Sequence, residues 1–174
     1  MSFAAGLASA VSGALMAFSL AIGYAAAPAP VPPPVPPTPA RPWSWPVTPP
    51  PSVVHPFDPP AQPWGSGHRG VDLAAPAGTV VRTPTDGVVT FAGVIAGRAV
   101  LVVGHPGGLR STFEPVHTTV PVGAALARGD PVGVLTETPG HCVPATCLHW
   151  GVLRGETYLD PLALLAGRVV LLPV

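Results

Sequence analysis

Proline decides where this chain can fold. Of its 27 prolines, seventeen lie between Pro28 and Pro63, and Pro32 to Pro39 is nearly unbroken proline with Val and Thr. Proline has a fixed φ and no amide proton, so such a tract builds neither helix nor sheet. It extends as polyproline II at ~3.1 Å per residue, a stiff spacer. A ligand for proline-recognition modules is the rival reading, and it suits a cytoplasmic setting. The tract divides the 174 residues into three parts: 1–27, a proline-rich linker over 28–50, and a domain over 51–174. The last is long enough for one hydrophobic core.

The first part carries no charged side chain from Phe3 to Ala27. As a helix at ~1.5 Å per residue, Phe3–Ala25 spans a ~30 Å hydrocarbon core. It has no polar face to turn to water, which argues against a core helix of a globular domain. A basic n-region is missing, but Gly23 and Ala25 offer a signal-peptidase site before Ala26. Residues 1–27 therefore read as a signal peptide or, uncleaved, as a membrane anchor through residues 3–25. Both place the rest outside the cytoplasm, secreted or in the cell envelope.

Charge excludes other classes. Eight basic and eight acidic residues balance, and no basic run exists, so a nucleic-acid partner is not expected. All eight basic residues are Arg, and the absence of Lys removes biotinyl or lipoyl carriage.

Within 51–174, short Val-rich runs alternate with Gly and Pro. Strands are expected near Val71–Leu73, Thr79–Arg82, Gly87–Ile95, Arg98–Gly104, Arg110–Glu114, Pro131–Thr136 and Leu148–Leu153. One short helix is expected, capped by Asp160, started by Pro161 and stopped by Gly167. The fold class is all-β, a sandwich or barrel. Trp43, Trp45 and Trp64, at the end of the proline tract, are expected to pack the linker onto the domain.

Two segments carry chemistry. In Gly67-His68-Arg69-Gly70-Val71-Asp72, an extended chain puts His68, Gly70 and Asp72 on one face, and Gly70 leaves space between two ordinary zinc ligands. In Cys147-Leu148-His149-Trp150-Gly151-Val152, period two puts Cys147, His149 and Gly151 on one face and Leu148, Trp150 and Val152 on the core face. His68, Asp72 and His149 form a His2Asp set. Three protein ligands with one open position is the catalytic zinc pattern.

The His-x-x-x-Asp of 68–72, followed by Leu148-His149 on a strand, resembles the lysostaphin-like zinc peptidases, peptidase M23 or LytM. Gly87–Gly93, His105–Leu109 and Asp160–Leu162 extend the likeness, which covers roughly Pro51 to Leu165. The resemblance implies a compact antiparallel β-sandwich with a narrow groove. It implies Zn2+ held by His68, Asp72 and His149, and cleavage of peptide cross-links in peptidoglycan. The sequence departs from the family pattern at two positions. Cys147 stands where the first His of His-x-His is expected, and Pro115 stands where a second catalytic His follows an aromatic. His141, in the loop before Cys147, and His117, which keeps strand parity with Pro115, are the candidate catalytic substitutes. Glu114 is adjacent to Pro115 and by alternation points to the opposite face unless Pro115 bends the chain. His105 reads as structural, and His55 as solvated.

Two cysteines in an exported chain read as a Cys142–Cys147 disulfide. So short a loop stabilises by only ~2 kcal/mol in the chain-entropy model, so its use is to fix the loop beside the groove. A zinc thiolate at Cys147 is the rival. Two functions follow: an exported zinc metalloendopeptidase acting on peptidoglycan peptides, or a zinc-bearing, non-hydrolytic module that binds the wall or regulates a partner hydrolase.

Overall fold

A computed structural model of the chain describes residues 42–62, 64–137 and 140–166. The expected signal or anchor segment, the body of the proline tract and Gly167 lie outside the described residues. The described residues are nearly all β, in two antiparallel sheets with one short helix.

The larger sheet contains β1 (Val53–His55), β2 (Val71–Ala74), β4 (Gly87–Ile95), β5 (Arg98–His105), β6 (Leu109–Glu114), β8 (Ala125–Leu126), β10 (Cys147–Arg154) and β11 (Thr157–Leu159). Its order is β1-β2-β10-β6-β5-β4-β8, with β11 also paired to β10. The smaller sheet is β3 (Val80–Arg82), β9 (Pro131–Leu135) and β7 (Val116–His117), in the order β3-β9-β7. The longer expected strands are all present. The short β1, β7, β8 and β11 were not expected, because two or three residues carry too little alternation to be read from sequence.

One apolar cluster joins the sheets. Leu73, Leu101, Phe113, Leu148 and Trp150 of the larger sheet meet Val81, Val116, Val132 and Leu135 of the smaller, all fully or almost fully buried. At ~25 cal/mol per Å2, this burial is the main favourable contribution to folding. Strand β10 lies at the centre: Leu148, Trp150 and Val152 enter the cluster, so His149 and Gly151 face the other way.

Residues 42–50 are part of this body. Val47 is buried, the Trp43 amide donates to the Leu164 carbonyl, and the Arg82 amide donates to Pro46. The Trp43 ring stacks on Trp150 and meets His105 edge-on. Trp43 and Trp45 pack against the core, whereas Trp64 is 82% exposed. The expectation for Trp64 is thus corrected: it sits in the turn Ala61–Ser66, away from the cluster.

The helix α1 (Pro161–Leu165) starts as its sequence requires: the Asp160 carboxylate accepts from the Leu162 amide at 2.9 Å. Between β5 and β6, Gly107 and Gly108 have φ of 76° and 72°, so the Pro106-Gly107-Gly108 turn needs residues without a Cβ.

Candidate metal centre

The pairing of four strands lays one polar row across the large sheet. His55 of β1 lies opposite Asp72 of β2, Asp72 opposite His149 of β10, and His149 opposite Glu114 of β6. Directly opposed residues of antiparallel strands project on the same face. The sequence reading of Glu114 is therefore corrected. Alternation was counted from Pro115, where the chain leaves the large sheet for β7 of the small one; register with β10 puts Glu114 on the His149 face. There it pairs with Arg98 of β5 at 3.0 Å.

Asp72 is the hub. It is 1% exposed, and its two oxygens have different neighbours. Oδ2 accepts from His55 Nδ1 at 2.9 Å. Oδ1 lies 2.8 Å from His149 Nδ1, 3.1 Å from His68 Nε2 and 3.3 Å from His141 Nδ1. His55, expected to be solvated, has an exposed ring but a firm contact with the site. Nothing in the residues around it signals this; only the pairing of β1 with β2 does.

His68 reaches the site from an isolated bridge to Asp58, with each backbone amide donating to the other's carbonyl. Its Nδ1 donates to the Pro56 carbonyl at 2.7 Å, which leaves Nε2 with a bare lone pair aimed at Asp72 and His149. A partner on one ring nitrogen that frees the other is the usual way a protein orients a metal-ligating imidazole. Gly70 keeps space for His149, because a Cβ there would stand 2.8 Å from His149 Nε2 and 2.5 Å from the Trp150 carbonyl oxygen.

Electrostatics follows the same geometry. Burial alone would raise the Asp72 pKa, but hydrogen bonds and charge from His141 and His149 hold it well below the usual carboxylate range. Burial pushes the His149 pKa down against the pull of Asp72. The hydrogen bond to Asp72 raises that of His141, against partial burial.

The donor set fits a metal ion. His68 Nε2 and His149 Nδ1 face each other at 3.1 Å, and both also face one carboxylate oxygen. Hydrogen bonds alone satisfy this poorly, because lone pairs and protons of the three imidazoles compete for the same point. A cation there satisfies all of them. In a tetrahedral zinc site with bonds of ~2.0–2.1 Å, neighbouring donors lie ~3.3 Å apart. The donor atoms of His68, Asp72, His141 and His149 all lie within 4.8 Å of one another.

The structure thus brings together His68, Asp72, His149 and His141. It does not bring in His117, which lies exposed on β7 opposite Val134 of β9. Parity with Pro115 does not carry across the change of sheet, so His117 is withdrawn as a candidate. Cys147 is bonded to Cys142 and cannot act as a thiolate. His105 is buried among structural partners: its Nδ1 donates to the Asp86 carbonyl and its Nε2 accepts from the Ser111 hydroxyl.

The family model for peptidase family M23 matches residues 66–161. Uncharacterized proteins of Mycobacterium tuberculosis and Mycobacterium bovis are 43% identical over 130 residues, covering 72% of this chain and 52% of theirs. The chain spans about half the length of the curated relatives it matches. A putative peptidase M23 from Pseudomonas aeruginosa is similar at 28% identity and TM-score 0.52, covering 76% of this chain and 55% of that one. The fold is shared with a zinc-containing peptidase from Vibrio cholerae, at 22% identity and TM-score 0.58 over 70% of this chain and 39% of that one. It is also shared with the catalytic domain of the antimicrobial peptidase lysostaphin from Staphylococcus simulans, at 23% identity and TM-score 0.58 over 67% and 92%.

Proposed function

Because the chain belongs to peptidase family M23, we propose that it is an exported zinc metalloendopeptidase that cleaves peptide cross-links of bacterial peptidoglycan. The observation that carries this reading is the convergence of His68, Asp72 and His149 on one point, 2.8–3.1 Å apart. These three residues would hold the zinc. Bound there, zinc supplies Lewis-acid polarisation of a scissile carbonyl and acidifies water.

The chain's own groups have separate tasks. Pro56 fixes the His68 tautomer, and His55 engages the Asp72 oxygen that the other imidazoles leave free. A cleft lined by His55, Pro56, Asp58, His68, Asp72 and His141 gives access from solvent. Proton transfer falls to His141, the remaining imidazole at the centre, with Glu114 on the same face as the second candidate. Neither Pro115 nor the disulfide-bonded Cys147 can move a proton. An uncharged run at 3–25, a proline spacer and a disulfide all suit an extracytoplasmic setting.

One observation favours a second reading. Where the resemblance predicts two assisting histidines, the chain has Pro115 and the disulfide-bonded Cys147. A zinc-bearing, non-hydrolytic module that binds wall peptides or regulates a partner hydrolase would need neither histidine. Incubation of the purified, zinc-loaded protein with peptidoglycan separates the two. The peptidase is expected to release new amino termini, detected by mass spectrometry. No new termini on several wall types, with zinc bound, would leave the module.

A further inference from the structure

Four imidazole or carboxylate donors meet at the centre, one more than a hydrolytic zinc site uses. We propose that His141 is a fourth protein ligand, delivered by the disulfide-tied loop, so that the resting centre is closed by side chains on all four sides. This rests on the zinc reading above and adds to it the state in which the zinc would be held.

Three observations carry the proposal. The first is distance. His141 Nδ1 stands 3.3 Å from Asp72 Oδ1, against 2.8 and 3.1 Å for His149 and His68 to the same oxygen. Its spacing matches the ~3.3 Å between neighbouring donors of a tetrahedral zinc site. The second is ring packing. The His141 ring centroid lies 4.2 Å from that of His149 and 5.7 Å from that of His68, although the residue is exposed at its loop. The third is covalent. Cys142 follows His141 and is bonded to Cys147, the first residue of β10, which also carries His149. One disulfide therefore ties the loop donor to the strand that carries a sheet donor.

Zinc sites with four protein donors are typically structural, and catalytic sites keep one position open. In the closed arrangement a peptide carbonyl finds no free place. Hydrolysis then requires His141 to withdraw, and its loop, unlike β2 and β10, is not held in a sheet. The same imidazole that closes the centre is the one left beside it to take a proton.

The test uses the full chain with its disulfide intact, loaded with cobalt(II) or zinc. X-ray absorption of the zinc form of the unaltered protein is expected to count three imidazoles, and its cobalt spectrum is expected not to respond to azide. His141→Ala, with folding checked by circular dichroism, is expected to weaken zinc binding at least ~10-fold, the lower end of what loss of a mere supporting partner costs. It is also expected to count two imidazoles and to bind azide. Two imidazoles and an azide response in the unaltered protein would overturn the proposal while leaving the zinc reading intact. Failure of the unaltered protein to bind either metal would overturn both.

Discussion

Two histidines are buried in the large sheet to nearly the same depth, His105 at 7% and His149 at 8% exposure. Burial pushes both pKa values down. By exposure and titration they are alike; by partners they are opposites. His105 sits in a closed chain of hydrogen bonds. The Trp150 indole donates to the Ser111 oxygen, the Ser111 hydroxyl donates to His105 Nε2, and His105 Nδ1 donates to the Asp86 carbonyl. Every donor there has an acceptor. His149 faces the nitrogens of His68 and His141 around one carboxylate oxygen, a donor set that suits a cation. A buried histidine is structural or functional according to whether its neighbours already satisfy it.

The largest expected effect tests that distinction directly. His149→Ala should reduce zinc to background after dialysis and lower turnover on wall peptides by more than ~100-fold, the low end of what lost acid-base or electrophilic help costs. His105→Ala should leave zinc content unchanged. Metal analysis of the two variants side by side breaks the comparison if both lose zinc or neither does.

The second effect runs the other way. In metal-free protein, His105→Ala leaves a cavity and strips partners from Ser111 and Asp86, so it should cost ~2–4 kcal/mol in denaturant unfolding. His149→Ala should cost less under the same conditions, because it relieves the crowding of nitrogens at the empty centre.

The third concerns pH. The folded-state pKa of His105 lies below 6.5, so the unfolded chain takes up a proton that the folded chain refuses. The stability contributed by neutral His105 is complete above ~6.5 and is lost as pH falls through the folded-state value. Its ring faces the Asp86 carbonyl, Ser111 and Trp43, so no carboxylate opposes the shift. In a metal-free His149→Ala background, His105→Gln should flatten the fall in melting temperature between about pH 7.5 and about pH 5.

The smallest effect probes the end of the polar row. The Arg98 and Glu114 side chains are partly exposed although the two atoms that meet are shut from solvent, so Arg98→Ala should change stability by no more than ~1 kcal/mol. If Glu114 supports proton transfer, Glu114→Gln should lower turnover with zinc content unchanged, and equal turnover would leave that task to His141.

The meeting of Asp72 and His149 was legible in the sequence because strand period places them: His149 alternates with core Leu148 and Trp150; His68 joins them from an isolated bridge, four residues from Asp72 across a small Gly70. The His105 reading was legible for a simpler reason, its place at a strand end beside Pro106-Gly107-Gly108. What could not be read is everything set by cross-strand register. Glu114 was assigned to the wrong face because parity fails where the chain changes sheets at Pro115. His117 failed for the same reason. His55 was read as solvated because its strand has three residues and no pattern, and its partner Asp72 is 17 residues away. His141 was visible only as a histidine near two cysteines; the loop geometry that turns it inward has no period at all.

The short bridge between Asp58 and His68 has a consequence for where this protein can be cut or transplanted. The match to the family model begins at residue 66, yet the carbonyl that sets the His68 tautomer belongs to Pro56, and the imidazole on the far oxygen of Asp72 belongs to His55. A chain started at Ser66 would keep His68, Asp72 and His149 and still lose the parts that aim them. The portable unit is therefore larger than the span the family model matches. Grafting the centre into another scaffold requires carrying residues 53–58 along, although nothing in their own chemistry advertises them as part of it.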